Sequence, residues 1–341
     1  MSPSCVSAPT GQSGAGAFAA NADGSVIVGD FTDTGGAKHA FRWTRGSGMV
    51  DLGTLGGAKS FTEGVSAKGS VVVGMSDLVG HGYHAFRWTK SSGMVDLGTL
   101  GGASSMANGV SADGSVVVGD SFVADGPAHA FRWTSASGMA DLGTLGGDFS
   151  VARAVSADGS VVVGFSSIGD GGTGHAFRWT KASGMVDLGT LGGGGSVAHG
   201  VSANGSVVVG DSDLAGGGEH AFRWTRGAGM VDLGTLNGGS SSALGVSVDG
   251  SVVVGTSGDM AGGVYHAFRW TRAAGMVNLS SRRARVSSTA LGVNANGSVV
   301  VGIAKLDYSN TQHAFRWTAA DSMRDLNGLK DLNALARQCH R

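Results

Sequence analysis

Four residues of different chemistry fill one recurring place in this sequence. Glu63, Asn108, Arg153 and His199 each stand two positions before the valine that opens a "VSA" segment. A carboxylate, an amide, a guanidinium and an imidazole can between them donate and accept hydrogen bonds, hold an anion and move a proton. Gathered together, they would form a polar ligand site. Glu63, Arg153 and His199 would also suit a site that cleaves polysaccharide, with Glu63 as the acid or base. The matching positions elsewhere carry Phe18, Leu244 and Leu291, so the place is variable within an otherwise repetitive chain.

What must position these residues is a repeat. The pentapeptide "HAFRW" begins at His39, His84, His129, His175, His220, His266 and His313, at steps of 45, 45, 46, 45, 46 and 47 residues. Regular spacing in the forties marks a propeller, solenoid or array. In the second copy, "EGVSAKGSVVVGMSD" (63–77) reads as two strands joined by a turn whose other versions are "ADG" and "ANG", the strongest short-range hairpin signals. "HAFRWT" alternates His84, Phe86 and Trp88 with Ala85, Arg87 and Thr89, which is strand patterning, and "MVDLGTL" supplies a fourth short strand. Four antiparallel strands per period and no helical pattern predict an all-β, seven-bladed β-propeller of four-stranded antiparallel blades. A β-solenoid fits less well, because hairpins rather than parallel coils connect the strands. The blades span 17–327, with tails at 1–16 and 328–341.

In such a fold the first strand of each blade lines the central channel, so Glu63, Asn108, Arg153 and His199 are expected to form a polar arc near one mouth. The loops after "VVVG" share that face and carry Tyr83, Tyr265 and Tyr308, with Phe61, Phe122 and Phe149 nearby. Exposed aromatics on a polar rim suit contact with a glycan or a protein.

The string "VSADGSVVVG…HAFRWT…GMVDLGTLGG" resembles the bacterial HAF repeat, described as a probable extracellular repeat. The resemblance covers about nine-tenths of the chain, with "HAFRWT" kept in all seven copies and "DLGTL" in five. It implies a secreted or surface protein, including the passenger regions of autotransporters, and no common activity. The order of turn, tryptophan strand and "TL-G" ending is also similar to the WD-repeat blade, which bears on architecture alone. Two stretches depart from the pattern: "SSRRARVSST" after "GMVNL", and the tail "GLKDLNALARQCHR".

A residue present in every blade is most simply a requirement of the blade. The seven histidines are therefore expected to hydrogen-bond across strands or to a loop backbone rather than to hold a metal, since equivalent positions on different blades lie too far apart for bonds of roughly 2.1 Å. The Phe and Trp of "HAFRW" are expected to fill the space between blades. The repeated Arg (Arg42, Arg87 and equivalents) and Asp (Asp51, Asp96 and equivalents) are expected to form ion pairs between third and fourth strands. The aspartates near the loops after "VVVG", among them Asp30, Asp120 and Asp211, lack the spacing of a calcium loop and read as solvated turn residues.

Composition narrows the partners. A net charge of -1 gives no general basic field for nucleic acid, and no apolar run is long enough for a spanning helix. The first residues lack the apolar core of a signal peptide, so export would require a signal outside this chain. No nucleophile triad, zinc-protease motif or phosphate loop is present, and neither an enzyme nor a cofactor or metal is expected. Cys5 and Cys339 lie near opposite ends; a ring-closing disulfide and two free thiols both fit. The expected function is that of a monomeric extracellular binding scaffold for a glycan or protein, the alternatives being a glycosidase or lyase at the channel mouth and a structural spacer.

Overall fold

The computed structural model describes residues 13–326 apart from 81, 170–172, 260–262, 281–286 and 306–311. Cys5, Cys339 and Tyr308 therefore lie outside the described residues, as does most of both departing stretches. The fold is all-β, a seven-bladed β-propeller. Each blade is a meander of four antiparallel strands hydrogen-bonded in chain order, and the blades occupy 13–51, 60–96, 101–141, 150–187, 192–232, 238–278 and 287–325. No helix long and apolar enough to cross a membrane occurs among the described residues. Contacts group the chain into two units, with the first four blades in Val6–Asp187 and the last three in Leu188–Arg341.

The second blade shows how the repeat folds. Its strands are Ser60–Val65, Val71–Asp77, Tyr83–Thr89 and Gly93–Asp96. The first hairpin closes with Ser66 N donating to Val71 O at 2.9 Å and Gly69 N to Ser66 O at 2.8 Å. Gly69 has φ +69°, and a Cβ there would collide with the Val26 side chain of the preceding blade, so conformation and space both require glycine. In the third blade's turn, Asp113 Oδ1 accepts from Ser111 Oγ, Ser115 N and Ser115 Oγ. These bonds hold its carboxyl down at about 2.

The core lies between blades. Val26, Val28, Ala40 and Leu52 of the first blade pack on Val72 and Phe86 of the second, with Trp88 and Met94 half-buried at the margin. Every "VVV" residue of the second blade is buried, as a strand covered on both faces requires. The phenylalanines of "HAFRW" fill this space completely, whereas the tryptophans only border it.

The expected Arg–Asp pairs do not form in the first blade, nor do the arginines of the second, third and fifth serve that aspartate. In the third and fourth strands Phe41 lies opposite Asp51 and Arg42 opposite Val50, so the arginine and aspartate side chains leave opposite faces. Asp51 shares its face with His39, whose Nδ1 lies 2.9 Å from it. Arg42 instead donates from Nε to the carbonyl of Gly69 in the next blade at 2.9 Å, and Arg87, Arg132, Arg223 and Arg269 do the same to Gly114, Gly159, Gly250 and Gly297. The repeated arginine is thus a clamp on the neighbouring hairpin. In the sixth blade the aspartate becomes Asn278, and His266 turns to Ser280 Oγ at 3.1 Å.

Candidate functional site

In every blade the pairing of first and second strands slips by one residue: between Thr62 and Gly64 in the second, Ala107 and Gly109 in the third, Ala152 and Ala154 in the fourth, Ala198 and Gly200 in the fifth. The skipped residue is the variable one, so Glu63, Asn108, Arg153 and His199 each occupy a β-bulge. The glycine of "VVVG" permits this. Gly74 lies opposite Thr62, and a Cβ on it would run into the Phe61 carbonyl. A bulge re-aims its extra side chain away from the ordinary pleat.

The structure draws attention to a second variable position, also present in the repeat but read above as part of the loops. Directly after the "VVVG" glycine stand Asp30, Met75, Asp120, Phe165, Asp211, Thr256 and Ile303, all inside the second strand. Asp30, Asp120 and Asp211 are therefore not solvated turn residues. They lie opposite Ala40, Ala130 and Ala221, whose small side chains leave room for them. Asp30 and Asp211 are buried and Asp120 is half-buried.

Within Val6–Asp187 two polar groups form. In the first, Lys38 Nζ meets Asp30 Oδ2 at 2.6 Å. Asp30 Oδ1 and Thr62 Oγ1 are buried and lack a hydrogen-bond partner, the two such side-chain atoms found among the described residues. The other six blades carry alanine where Thr62 stands. Glu63, next to Thr62, keeps an accessible face, yet desolvation and then the Asp30 charge raise its pKa.

In the second group, Asn108 Nδ2 donates to Asp120 Oδ1 at 3.0 Å and to the Ala152 carbonyl of the next blade at 2.9 Å. Desolvation raises the Asp120 pKa against the Asn108 bond and the Arg153 charge. Arg153 lies over the Phe165 ring, 5.2 Å from its centre, and Phe149 meets that ring edge-on.

Within Leu188–Arg341, His199 Nε2 lies 2.6 Å from Asp211 Oδ1, which also accepts from Ser242 Oγ of the next blade at 2.5 Å. Burial opposes the Asp211 charge, but the bonds from His199 and Ser242 and the His199 charge hold its pKa below the usual range. Glu219 goes the other way. Desolvation, then the charge of Asp211, a hydrogen bond with Asp211 and the charge of Asp213 lift it to about 7. Two carboxyls with pKa values driven apart are suited to passing a proton.

The sequence-based candidates are thus divided: Glu63, Asn108 and Arg153 sit on consecutive blades of one unit, and His199 belongs to the other. Their side-chain partners are chiefly the residues after the glycine rather than one another, with Asp120 shared between Asn108 and Arg153. Tyr83 and Tyr265 occupy the position before the repeated histidine, the place Lys38 and Glu219 take in their blades, and are 37% and 46% exposed. No group of three metal-ligating side chains occurs among the described residues.

No family model matches the chain, so the HAF-repeat resemblance has no support from that quarter, and no curated protein matches it. Solved structures do. A prolyl endopeptidase aligns at TM-score 0.63 and 11% identity over 92% of this chain and 49% of its own. A puromycin hydrolase aligns at 0.58 and 12% over 92% and 53%, and an oligogalacturonate lyase in complex with manganese at 0.57 and 11% over 88% of each chain. This chain spans about half the length of the first two. Identity at this level establishes the propeller fold alone. The expectation that the chain is not an enzyme is nevertheless withdrawn, because lyases and hydrolases share this fold and its architecture excludes no catalysis.

Proposed function

We propose that the chain is a binding protein that holds a glycan against the bulge end of its blades. Asp30 Oδ1 and Thr62 Oγ1 are the observation that supports this most. Burying an unpaired polar atom costs about 1–3 kcal/mol, and the alanine found in the other six blades would avoid the Thr62 hydroxyl. Both atoms are shut off from solvent, so a ligand rich in hydroxyls would supply the missing partners only by displacing the side chains that cover them, with the accessible Glu63 carboxyl as its first acceptor. In the same unit, Arg153 on Phe165 and the exposed ring of Tyr83 offer flat surfaces for sugar rings. Protein ligands are the competing class. In keeping with the repeat resemblance, we place the protein outside the cell or on its surface, as in an autotransporter passenger region.

An array of neutral and acidic oligosaccharides tests the proposal. Binding that falls in Asp30→Asn and Glu63→Gln supports it; an array without hits, or hits indifferent to both substitutions, opposes it.

A second function, turnover of a glycan bound within Leu188–Arg341 itself, is favoured by the Glu219–Asp211 pair, since a carboxyl near 7 can deliver a proton at neutral pH. Glu219→Gln would then abolish turnover while retaining binding.

A further inference from the structure

Beside the first hairpin turn of the sixth blade, the unit Leu188–Arg341 contains a groove of about 890 Å³ lined by residues of the fifth and sixth blades and by Asn296 of the seventh. Arg223, Arg269 and Arg272 line it, and the carboxylate in its wall is Asp249. That carboxylate is already engaged: Asp249 Oδ1 accepts from Ser247 Oγ, Ser251 N and Ser251 Oγ at 2.7, 3.0 and 2.8 Å. The arginines thus outnumber the acid three to one, and Arg223 is held below its usual pKa by desolvation and then by the charge of Arg272. Two cations crowded together and partly desolvated form a site that an anion would relieve.

Arg223 and Arg269 recur as hairpin clamps through Nε, and the position of Arg272 is held by Arg45, Lys90, Ser135, Lys181, Arg226 and Ala319 in the other blades, so a third cation there is frequent but not universal. The groove departs from the repeat in its threonines. In the first four blades the threonine hydroxyl is matched with a serine, as in Thr44–Ser47 and Thr89–Ser92 at 2.7 Å. Here alanine replaces that serine. Thr225 and Thr271 accept from the backbone of Ala228 and Ala274 at 3.3 and 3.2 Å, and each hydroxyl keeps a proton to donate. Trp270, half-buried, supplies an aromatic wall.

We infer that this groove binds the acid groups of a carboxylated or sulfated saccharide, with the three guanidiniums on the oxyanions and Trp270 and the threonine hydroxyls on the sugar ring. Guanidinium forks match carboxylate and sulfate oxygens, while spare hydroxyl donors beside an indole fit a polyhydroxylated ring. A volume of this size suits a short stretch of chain. Nucleic acid is disfavoured, because the chain's net charge is -1 and three arginines give a short electrostatic footprint.

This groove shares no residue with the bulge-end candidates, and its test is separable from theirs. Calorimetric titration of the whole chain would compare a sulfated tetrasaccharide, a hexuronate tetrasaccharide, neutral cellotetraose and hexaglutamate. At least one acidic saccharide is expected to bind about tenfold or more tightly than the neutral sugar and the peptide. Arg272→Ala, which removes no clamp, should weaken it by roughly tenfold or more, the scale of one charge-assisted hydrogen bond, while Thr62→Ala at the bulge end leaves it unchanged. Arg272→Lys should fall between. Equal binding of hexaglutamate or cellotetraose, no binding of either acidic saccharide at millimolar concentration, or an unaffected Arg272→Ala would each overturn the inference.

Discussion

His199 and Asp211 meet at 2.6 Å across the first two strands of the fifth blade, and the bulge makes that contact. Without the one-residue slip, residue 199 would take its place in the pleat and could not turn toward a carboxylate beside the conserved-in-every-blade glycine. Asp211, fixed by His199 and by Ser242 of the next blade, stays ionised. The electrostatic cost falls on Glu219.

That cost has a sign. The pKa of Glu219 rises from 4.5 unfolded to about 7 folded, so its contribution to stability is complete below about pH 4.5 and is lost as pH climbs through about 7. Glu219→Gln should therefore melt higher than the parent at pH 8, with the difference shrinking by pH 5. The charged or titratable groups facing it are Asp211, Asp213 and, through Asp211, His199; all three persist in the variant. Melting curves followed by circular dichroism across this range decide the matter, and parallel slopes for the two proteins would refute the assignment.

Packing separates the two aromatic residues of the repeat. Phe131 is fully buried between blades and Trp133 only borders the same cluster. Phe131→Ala should destabilise by ~3–5 kcal/mol, and Trp133→Ala by distinctly less. Denaturant unfolding of both variants would show the order; a larger loss at Trp133 would contradict it.

The third-strand polar residues can be sorted by double-mutant cycles. His129 and Asp141, 2.9 Å apart and partly exposed, should couple by about 0.2–1 kcal/mol. Arg132 and Asp141 should be additive, because Arg132 serves Gly159 of the next blade. Arg132→Ala alone should cost about 1–3 kcal/mol through the carbonyl it abandons. Coupling between Arg132 and Asp141 would restore the ion pair expected from strand order.

The period of "HAFRW", the Asp-Gly turns and the alternation of "HAFRWT" made the blades legible in the sequence, since each is a local signal repeated seven times. Glu63, Asn108, Arg153 and His199 were legible as departures from the repeat. What they touch was not, because a one-residue bulge moves side chains between faces and leaves no mark on composition. For the same reason Asp30, Asp120 and Asp211 looked like loop residues, although comparing the residue after "VVVG" across blades would have shown the same variability. Register likewise decided that the repeated aspartate serves histidine and not arginine. The arginines of the hairpin-end groove were hidden by a net charge near zero, which averages over patches.

Thr62→Ala tests the central claim, glycan binding at the bulge end, most directly. The substitution restores the residue that every other blade uses and removes a buried hydroxyl without a partner, so stability should hold or rise by up to about 1–3 kcal/mol. Affinity for the oligosaccharide selected by the array should nevertheless fall, by about five- to tenfold for a neutral hydrogen bond of roughly 1–1.5 kcal/mol. A melting temperature at or above the parent's together with that loss is the result predicted. A raised melting temperature with affinity unchanged would mean that the hydroxyl meets no ligand, and would contradict the site.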